Sequence, residues 1–234
     1  MATRTDSVAV SDGGSFDLYI WVPERGHGPG LLLIQEIFGV GTYIRGVAAD
    51  LAAKGYVVAA PDLFWRLQPG WAPENDEDGL KRSGDMLSRF DATQGVADAA
   101  TALDHLTGLP EVSGGVGALG FCLGGSVAYS LAARAKLAVL VSFYGSTVPG
   151  SLDQMDAIEC PAQFHFGGSD PYIPRDQVAA VERAVAGHPD MEIHVQEDGG
   201  HAFHNRESPL FYQPEPATRA WRLTEDFLAR RFPA

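Results

Sequence analysis

The chain has 234 residues, of which 45% are hydrophobic and 20% charged, the usual balance of a globular protein. This length predicts one domain, residues 1–234, that can bury a core without disulfides. The formal net charge of −13 argues against nucleic acids and anionic membranes as partners. We find neither a signal-peptide pattern nor an apolar run of membrane-spanning length, so we expect a cytoplasmic protein.

Short apolar runs alternate with helical periodicity along most of the chain. A leading antiparallel hairpin is predicted over residues 7–22, around Asp12-Gly13-Gly14. The predicted strands that follow are 31–34, 56–60, 116–121, 137–143, 163–166 and 192–195. The predicted helices are 42–54, 91–106, 123–135, 178–186 and 216–232. This alternation predicts an α/β fold with a mostly parallel sheet and helices on both faces, whose ligands bind beyond the carboxyl ends of the strands.

The segment Gly120-Phe121-Cys122-Leu123-Gly124-Gly125 joins a predicted strand to a predicted helix. It has the form G-x-C-x-G, with cysteine where a nucleophile elbow carries serine. The glycines avoid clashes at the sharp turn, and the turn places the sulfur at a helix N-terminus, which favours a thiolate. We therefore predict that Cys122 is the nucleophile and that the N–H of Leu123 lies in the oxyanion hole. Cys160 lacks this context and is interpreted as structural.

Two other strand ends carry the partners that a cysteine nucleophile needs. His201 follows the last predicted strand and is the predicted base, with His204 as its close rival. Asp170 follows the preceding strand and is predicted to orient the histidine, although Glu197 and Asp198 lie nearer to it in sequence. The order nucleophile, acid, base along the chain is that of α/β-hydrolases.

This chemistry needs no organic cofactor, and we predict none. Gly115, Gly117 and Gly120 match the letters of a dinucleotide fingerprint, but they precede or lie within a strand instead of following one. No acidic residue stands at the ribose-binding distance. We also predict no metal site, because a His201–His204 pair lacks an obvious third ligand.

Several motifs, taken together, resemble those of the dienelactone hydrolase family over nearly the whole chain. They are Gln35-Glu36-Ile37-Phe38-Gly39, Pro61-Asp62-Leu63, the cysteine elbow, Phe143-Tyr144-Gly145, Gly167-Gly168-Ser169-Asp170 and Gly199-Gly200-His201-Ala202-Phe203. The resemblance implies the α/β-hydrolase fold, a contact of Glu36 with the resting Cys122 thiol, and a second oxyanion N–H from Ile37. A carboxylate beside the thiol would disfavour a standing thiolate and so protect it from oxidation until substrate arrives.

The resemblance also implies two arginines that hold a substrate carboxylate. Lys81 or Arg82 lies approximately in register with the first, and Arg206 is displaced by one residue from the second. We take Arg82 and Arg206 as candidate substrate-binding residues, with a solvated surface position as the alternative for each. Phe38, Tyr144 and Trp65 are further candidates for the pocket lining. The family's small hydroxyl residue after the histidine is Ala202 here.

The sequence thus predicts a hydrolase of an enol lactone or related carboxylic ester, acting through an acyl-cysteine intermediate. The predicted partner is a small lactone or ester, with or without a carboxylate, and the protein is expected to be a monomer or a simple homo-oligomer. A glutamine amidotransferase is an alternative, but that class needs a glutamate where Phe203 stands, two residues after the histidine. An esterase acting on an unrelated ester, or a non-catalytic binding module of the same fold, is also compatible with the pattern.

Overall fold

The structure, a computed structural model, describes all residues from 1 to 234. Eight strands form one sheet: β1 (Ala2–Ala9), β2 (Ser15–Val22), β3 (Gly28–Ile34), β4 (Val57–Pro61), β5 (Val112–Phe121), β6 (Leu140–Phe143), β7 (Ala162–Gly167) and β8 (Met191–Gln196). Six α-helices connect them: α1 (Thr42–Ala53), α2 (Glu77–Ser88), α3 (Ala92–Thr107), α4 (Leu123–Ala132), α5 (Arg175–Val185) and α6 (Pro214–Arg231). None of these helices combines the length and apolarity that a membrane crossing requires.

The strands lie in the order β1-β2-β4-β3-β5-β6-β7-β8. β1 and β2 form an antiparallel hairpin, β2 pairs antiparallel with β4, and all other pairs are parallel. The predicted leading hairpin and the predicted α/β fold are therefore confirmed. Because the sheet is parallel from β4 to β8, the carboxyl ends of these strands meet at one edge, which is the edge that carries the site.

The central strands are buried on both faces of the sheet. Every residue of β3 is buried, including Leu31 to Ile34. Since successive side chains of a strand point to opposite faces, apolar cover is needed on both sides. The helices supply it with their apolar stripes, for example Val47 and Leu51 of α1 and Val178 and Val181 of α5.

Helix α2 is the main element that the periodicity did not predict. The segment is polar and contains Gly79 and Gly84, both of which weaken a helical pattern. Its start is fixed by Asp76, whose side chain accepts a hydrogen bond from the N–H of Gly79 at 2.8 Å. The helix matters for function because Leu80, Gly84 and Leu87 line the cavity beside the nucleophile.

Candidate active site

The four predicted catalytic side chains lie at the carboxyl edge of the sheet. Glu36 follows β3, Cys122 follows β5, Asp170 follows β7 and His201 follows β8. Each is carried by the loop that leaves its strand, so parallel pairing of distant segments brings the residues together. Cys122, His201 and Glu36 line one cavity of about 240 Å³, which we call the compact cavity.

The elbow holds Cys122 in a strained backbone conformation. Its φ of 53° and ψ of −114° fall where residues other than glycine are uncommon. The neighbouring glycines are required by close packing: a Cβ on Gly120 would lie 2.1 Å from the carbonyl oxygen of Gly124, and a Cβ on Gly124 would lie 2.2 Å from that of Ile34. The strain projects the sulfur out of the strand toward the cavity, as the elbow motif predicts.

The imidazole of His201 lies between Cys122 and Asp170. Its Nε2 is 3.1 Å from the sulfur of Cys122, and its Nδ1 is 2.7 Å from Oδ2 of Asp170. The other carboxylate oxygen accepts hydrogen bonds from the N–H groups of Tyr172 at 2.7 Å and Ile173 at 3.2 Å. These two bonds fix the carboxylate, and the carboxylate in turn fixes the ring so that Nε2 faces the sulfur.

The three groups are largely removed from water, which strengthens their mutual interaction. The side chain of Asp170 is fully buried, and that of His201 is 9% exposed. Burial alone lowers the pKa of the imidazole, but the adjacent sulfur of Cys122 and the carboxylate of Asp170 oppose it and raise the pKa of His201 to about 11. The ring therefore holds a proton readily, and its positive charge stabilises negative charge that develops on the sulfur.

Glu36 is buried close to this group but binds other partners. Its Oε2 accepts a hydrogen bond from Nδ2 of Asn205 at 2.7 Å, and its Oε1 accepts one from the hydroxyl of Tyr144 at 3.3 Å. Burial raises its pKa to about 7, although the charge of His201 and these two hydrogen bonds partly oppose the rise. The expected contact with the thiol is not formed, because the sulfur of Cys122 faces His201 instead.

The predicted oxyanion donors are Ile37, in the loop after β3, and Leu123, the residue directly after Cys122. Ile37 lines the compact cavity, and its N–H has no acceptor within the protein. The indole N–H of Trp71 donates to the carbonyl oxygen of Ile37 at 3.0 Å and so orients that residue. Leu123 is the first residue of α4, where an N–H has no partner inside the helix.

The compact cavity has a mostly apolar lining. Phe38, a predicted lining residue, contributes to it, together with Leu80, Leu87 and Phe211. Tyr144, also predicted, acts differently: it is fully buried, its hydroxyl donates to Glu36, and its ring centroid lies 5.3 Å from that of His201. A small apolar group fits such a cavity better than a charged one.

Besides Tyr144, three more of the predicted substrate-binding residues do not line this cavity. Arg82 is half-exposed on α2 and forms an ion pair with Asp78 one turn away, on a different face from Leu80 and Leu87. The guanidinium of Arg206 is 2.7 Å from Asp50.

Trp65, the third of these residues, is engaged in a separate polar cluster. Its indole N–H donates to Asp98 at 2.8 Å, and the guanidinium of Arg66 lies over its ring. These contacts hold Trp65 among residues that do not line the compact cavity.

Two neighbours of the site were not identified from sequence. Asn205 connects Glu36 to Asn75, since its Nδ2 also donates to Oδ1 of Asn75 at 2.8 Å. Tyr172 is 60% exposed and packs its ring edgewise on His201 at 5.0 Å, at the mouth of the cavity. Asn205 stands four residues after the histidine in the same loop, which is the one sequence signal that could have drawn attention to it.

The rivals of His201 and Asp170 have other partners. His204 is buried, with Nδ1 2.7 Å from the hydroxyl of Tyr43, and burial together with the charge of Arg206 lowers its pKa to about 3. Glu197 is paired with Arg175 and Asp198 with Arg219, and both acids are exposed. No group of three or more metal-binding side chains occurs in the chain.

The fold and the arrangement of these side chains define an α/β-hydrolase with a nucleophile elbow. The sequence matches the dienelactone hydrolase family over residues 16–232, and the chain belongs to this family. It is 33% identical to carboxymethylenebutenolidase of Pseudomonas sp. (strain P51) over 100% of this chain and 98% of that protein. It is 31% identical to carboxymethylenebutenolidase of Pseudomonas putida over 98% of this chain and 97% of that protein.

A solved structure shares the fold. Dienelactone hydrolase from Anabaena variabilis ATCC 29413 gives a TM-score of 0.70 at 19% identity, over 98% of each chain. The predicted family and the prediction of a hydrolase are therefore confirmed, and the chain is an enzyme of a family that acts on small ester or lactone substrates. Membership of this family argues against both the amidotransferase and the non-catalytic binding module.

Proposed function

We propose that the protein hydrolyses a carboxylic ester or an enol lactone through an acyl-cysteine intermediate. The observation that carries this proposal is the position of His201, whose two ring nitrogens lie 3.1 Å from the sulfur of Cys122 and 2.7 Å from Asp170. A nucleophile, a base within reach and a group that orients the base are the parts that covalent catalysis of acyl transfer requires.

The reaction follows from this arrangement. The sulfur of Cys122 attacks the substrate carbonyl carbon while the thiol proton resides on His201. The carbonyl oxygen becomes negatively charged and accepts hydrogen bonds from the N–H groups of Ile37 and Leu123. The C–O bond then breaks, the leaving oxygen takes the proton from Nε2, and a thioester remains. Water, deprotonated by the same imidazole, attacks the thioester and releases the acid and the thiol.

Glu36 is proposed to control the thiol. Burial raises the pKa of the carboxyl to about 7, so it keeps its proton far more readily than a surface glutamate, and its two oxygens accept hydrogen bonds from Asn205 and Tyr144. When it is ionised and turned toward Cys122, its charge would oppose a thiolate. In the state seen here the sulfur is paired with His201, which is the arrangement that attack on a substrate requires.

The substrate proposed first is an enol lactone of the dienelactone type, because two similar proteins are carboxymethylenebutenolidases. A ring of this size suits the compact cavity of about 240 Å³. Since Arg82 and Arg206 are paired with acids outside this cavity, a related ester is the alternative.

The test is hydrolysis of cis- and trans-dienelactone and of an aryl acetate by the purified protein, beside Cys122→Ala. Turnover of the lactones by the wild type, with an inactive variant, supports both the nucleophile and the substrate class. Cleavage of the aryl acetate alone would keep the mechanism and assign the cavity to another ester. If neither is cleaved above the background of Cys122→Ala, the proposed reaction is refuted.

A further inference from the structure

A second hollow opens beside Cys122, and the reaction just proposed does not use it. This space of about 350 Å³, which we call the open groove, shares Cys122, Leu87 and Ser146 with the compact cavity. The nucleophile therefore stands where two spaces meet. An ester has two halves on either side of its carbonyl carbon, so each space can receive one of them.

The two spaces differ in their relation to the imidazole. His201 lines the compact cavity and does not line the open groove. Because the leaving oxygen takes its proton from Nε2 of His201, the alcohol half of the substrate must lie on the imidazole side. The open groove is then the remaining space beside the sulfur for the acyl half.

The floor of the open groove is one face of α4 and its extension. Three lining residues follow Cys122 at intervals of four, the spacing that places side chains on one side of a helix: Ser126, Ser130 and Arg134. The ten residues of α4, Leu123–Ala132, span about 15 Å at about 1.5 Å each, and Arg134 lies in the turn just beyond the end of the helix. Phe90 and Val96 line the same groove and give it apolar surface.

The charge along this groove is unusual for so acidic a protein. The chain carries 30 acidic side chains against 17 basic ones, yet no acid lines the open groove and Arg134 is its one basic residue. Arg134 is exposed and takes part in no ion pair. Arg82 and Arg206, by contrast, are each neutralised by an aspartate.

We infer that the open groove binds an elongated acyl chain and that Arg134 binds an anionic group at the far end of that chain. Besides the lactone proposed above, whose acyl and alcohol parts share one ring, the substrate class that this groove admits is an ester of a long dicarboxylic acid or of another acid with a terminal anion. This inference rests on the proposed function for the position of the scissile bond. The binding of the terminal anion rests on the groove and on Arg134 alone.

The test compares p-nitrophenyl half-esters of dicarboxylic acids of 6, 10 and 14 carbons with p-nitrophenyl esters of monocarboxylic acids of the same lengths. In the wild type, the ratio of kcat/KM for the charged over the neutral ester should rise with chain length, by about fivefold, the effect of about 1 kcal/mol for an exposed ion pair. Arg134→Gln should abolish this rise by raising KM for the long charged esters. Arg134→Lys should retain part of the rise. Lys136→Gln removes the same charge two residues away, outside the groove, and should leave the rise intact.

A ratio that is the same in the wild type and in Arg134→Gln at every length overturns the inference. If no ester is cleaved above the Cys122→Ala background, the proposed function fails, and calorimetric binding of tetradecanedioate then decides on the groove separately. Tighter binding to the wild type than to Arg134→Gln, weakened by added salt, supports the anion site. Equal binding by the two proteins refutes it.

Discussion

Replacing Glu36 by glutamine should change how the stability of the protein depends on pH. The side chain is buried, and burial raises its pKa from 4.5 to about 7. Glutamine has nearly the same shape, can still accept a hydrogen bond from Asn205, and carries no ionisable proton. The variant therefore removes the titration while leaving the surrounding packing in place.

The size of the effect follows from the two pKa values. Below pH 4.5 the carboxyl is protonated in both the folded and the unfolded chain, and its ionisation contributes nothing to the difference. Between pH 4.5 and 7 the unfolded chain loses the proton and the folded chain keeps it, so the stability of the wild type falls as pH rises. The gap of about 2.5 units corresponds to about 3.4 kcal/mol, reached above pH 7.

Urea unfolding of wild type and Glu36→Gln at pH values from 4 to 9 measures this directly. The free energy of unfolding of the variant, relative to wild type, should increase by about 3 kcal/mol from the acid to the alkaline end. Titration of other groups, such as buried His204, is common to both proteins and cancels in the difference. Glu207→Gln, which removes an exposed carboxylate from a nearby loop, controls for net charge. A difference between Glu36→Gln and wild type that stays constant with pH would refute the reasoning.

Three further predictions concern the catalytic residues and the two arginines outside the cavity. Asp170→Asn should lower kcat by about 10³- to 10⁴-fold with little change in KM, because the ring loses the group that orients it; steady-state kinetics on an aryl acetate checks this. Iodoacetamide at pH 7.5 should label Cys122 much faster than Cys160, whose pKa burial raises to about 11; peptide mass spectrometry gives both rates, and equal rates would contradict it. Arg82→Gln and Arg206→Gln should each keep kcat/KM for dienelactone within about twofold of the wild-type value, since both side chains lie in surface ion pairs. A tenfold loss would instead indicate that the arginine binds substrate.

The fold could be predicted because its signals are local. Apolar runs of strand length and helical stripes such as Val178 and Val181 of α5 are visible in short windows of sequence. The elbow is equally local, since the glycines around Cys122 are required by contacts within the turn and with the adjacent strand. Once the sheet is parallel, its topology alone places the loops with Asp170 and His201 at the same edge.

The substrate-binding residues could not be predicted in this way because they depend on small rotations and displacements. Arg82 lies on a helix that the sequence did not predict. It stands two positions after the cavity-lining Leu80 and therefore on a different face of that helix. Arg206 lies one position from Asn205, yet one points to a surface aspartate and the other to Glu36. Sequence spacing gives the neighbourhood of such a residue but does not give the direction of its side chain.

Glu36 illustrates a different limit. Its place after β3 can be read from the sequence, but its relation to the thiol came from resemblance to a family. The structure shows it bonded to Asn205 and Tyr144, which come from the loops after β8 and β6. Hydrogen bonds between loops of three different strands have no signature in any window of sequence, because they depend on where the whole sheet places those loops.

The charges around Cys122 explain how a chain of strongly negative net charge could carry the negatively charged sulfur that the proposed reaction needs. A net charge of −13 should disfavour another anion, such as the thiolate proposed at Cys122. Near the sulfur, however, the acid Glu36 keeps its proton up to about pH 7, and Asp170 lies behind the imidazole of His201. The charged group in contact with the sulfur is therefore the imidazolium of His201, and the N-terminus of α4 adds a positive field. Because burial weakens screening inside the site, these few groups outweigh the many surface carboxylates, most of which are exposed to water.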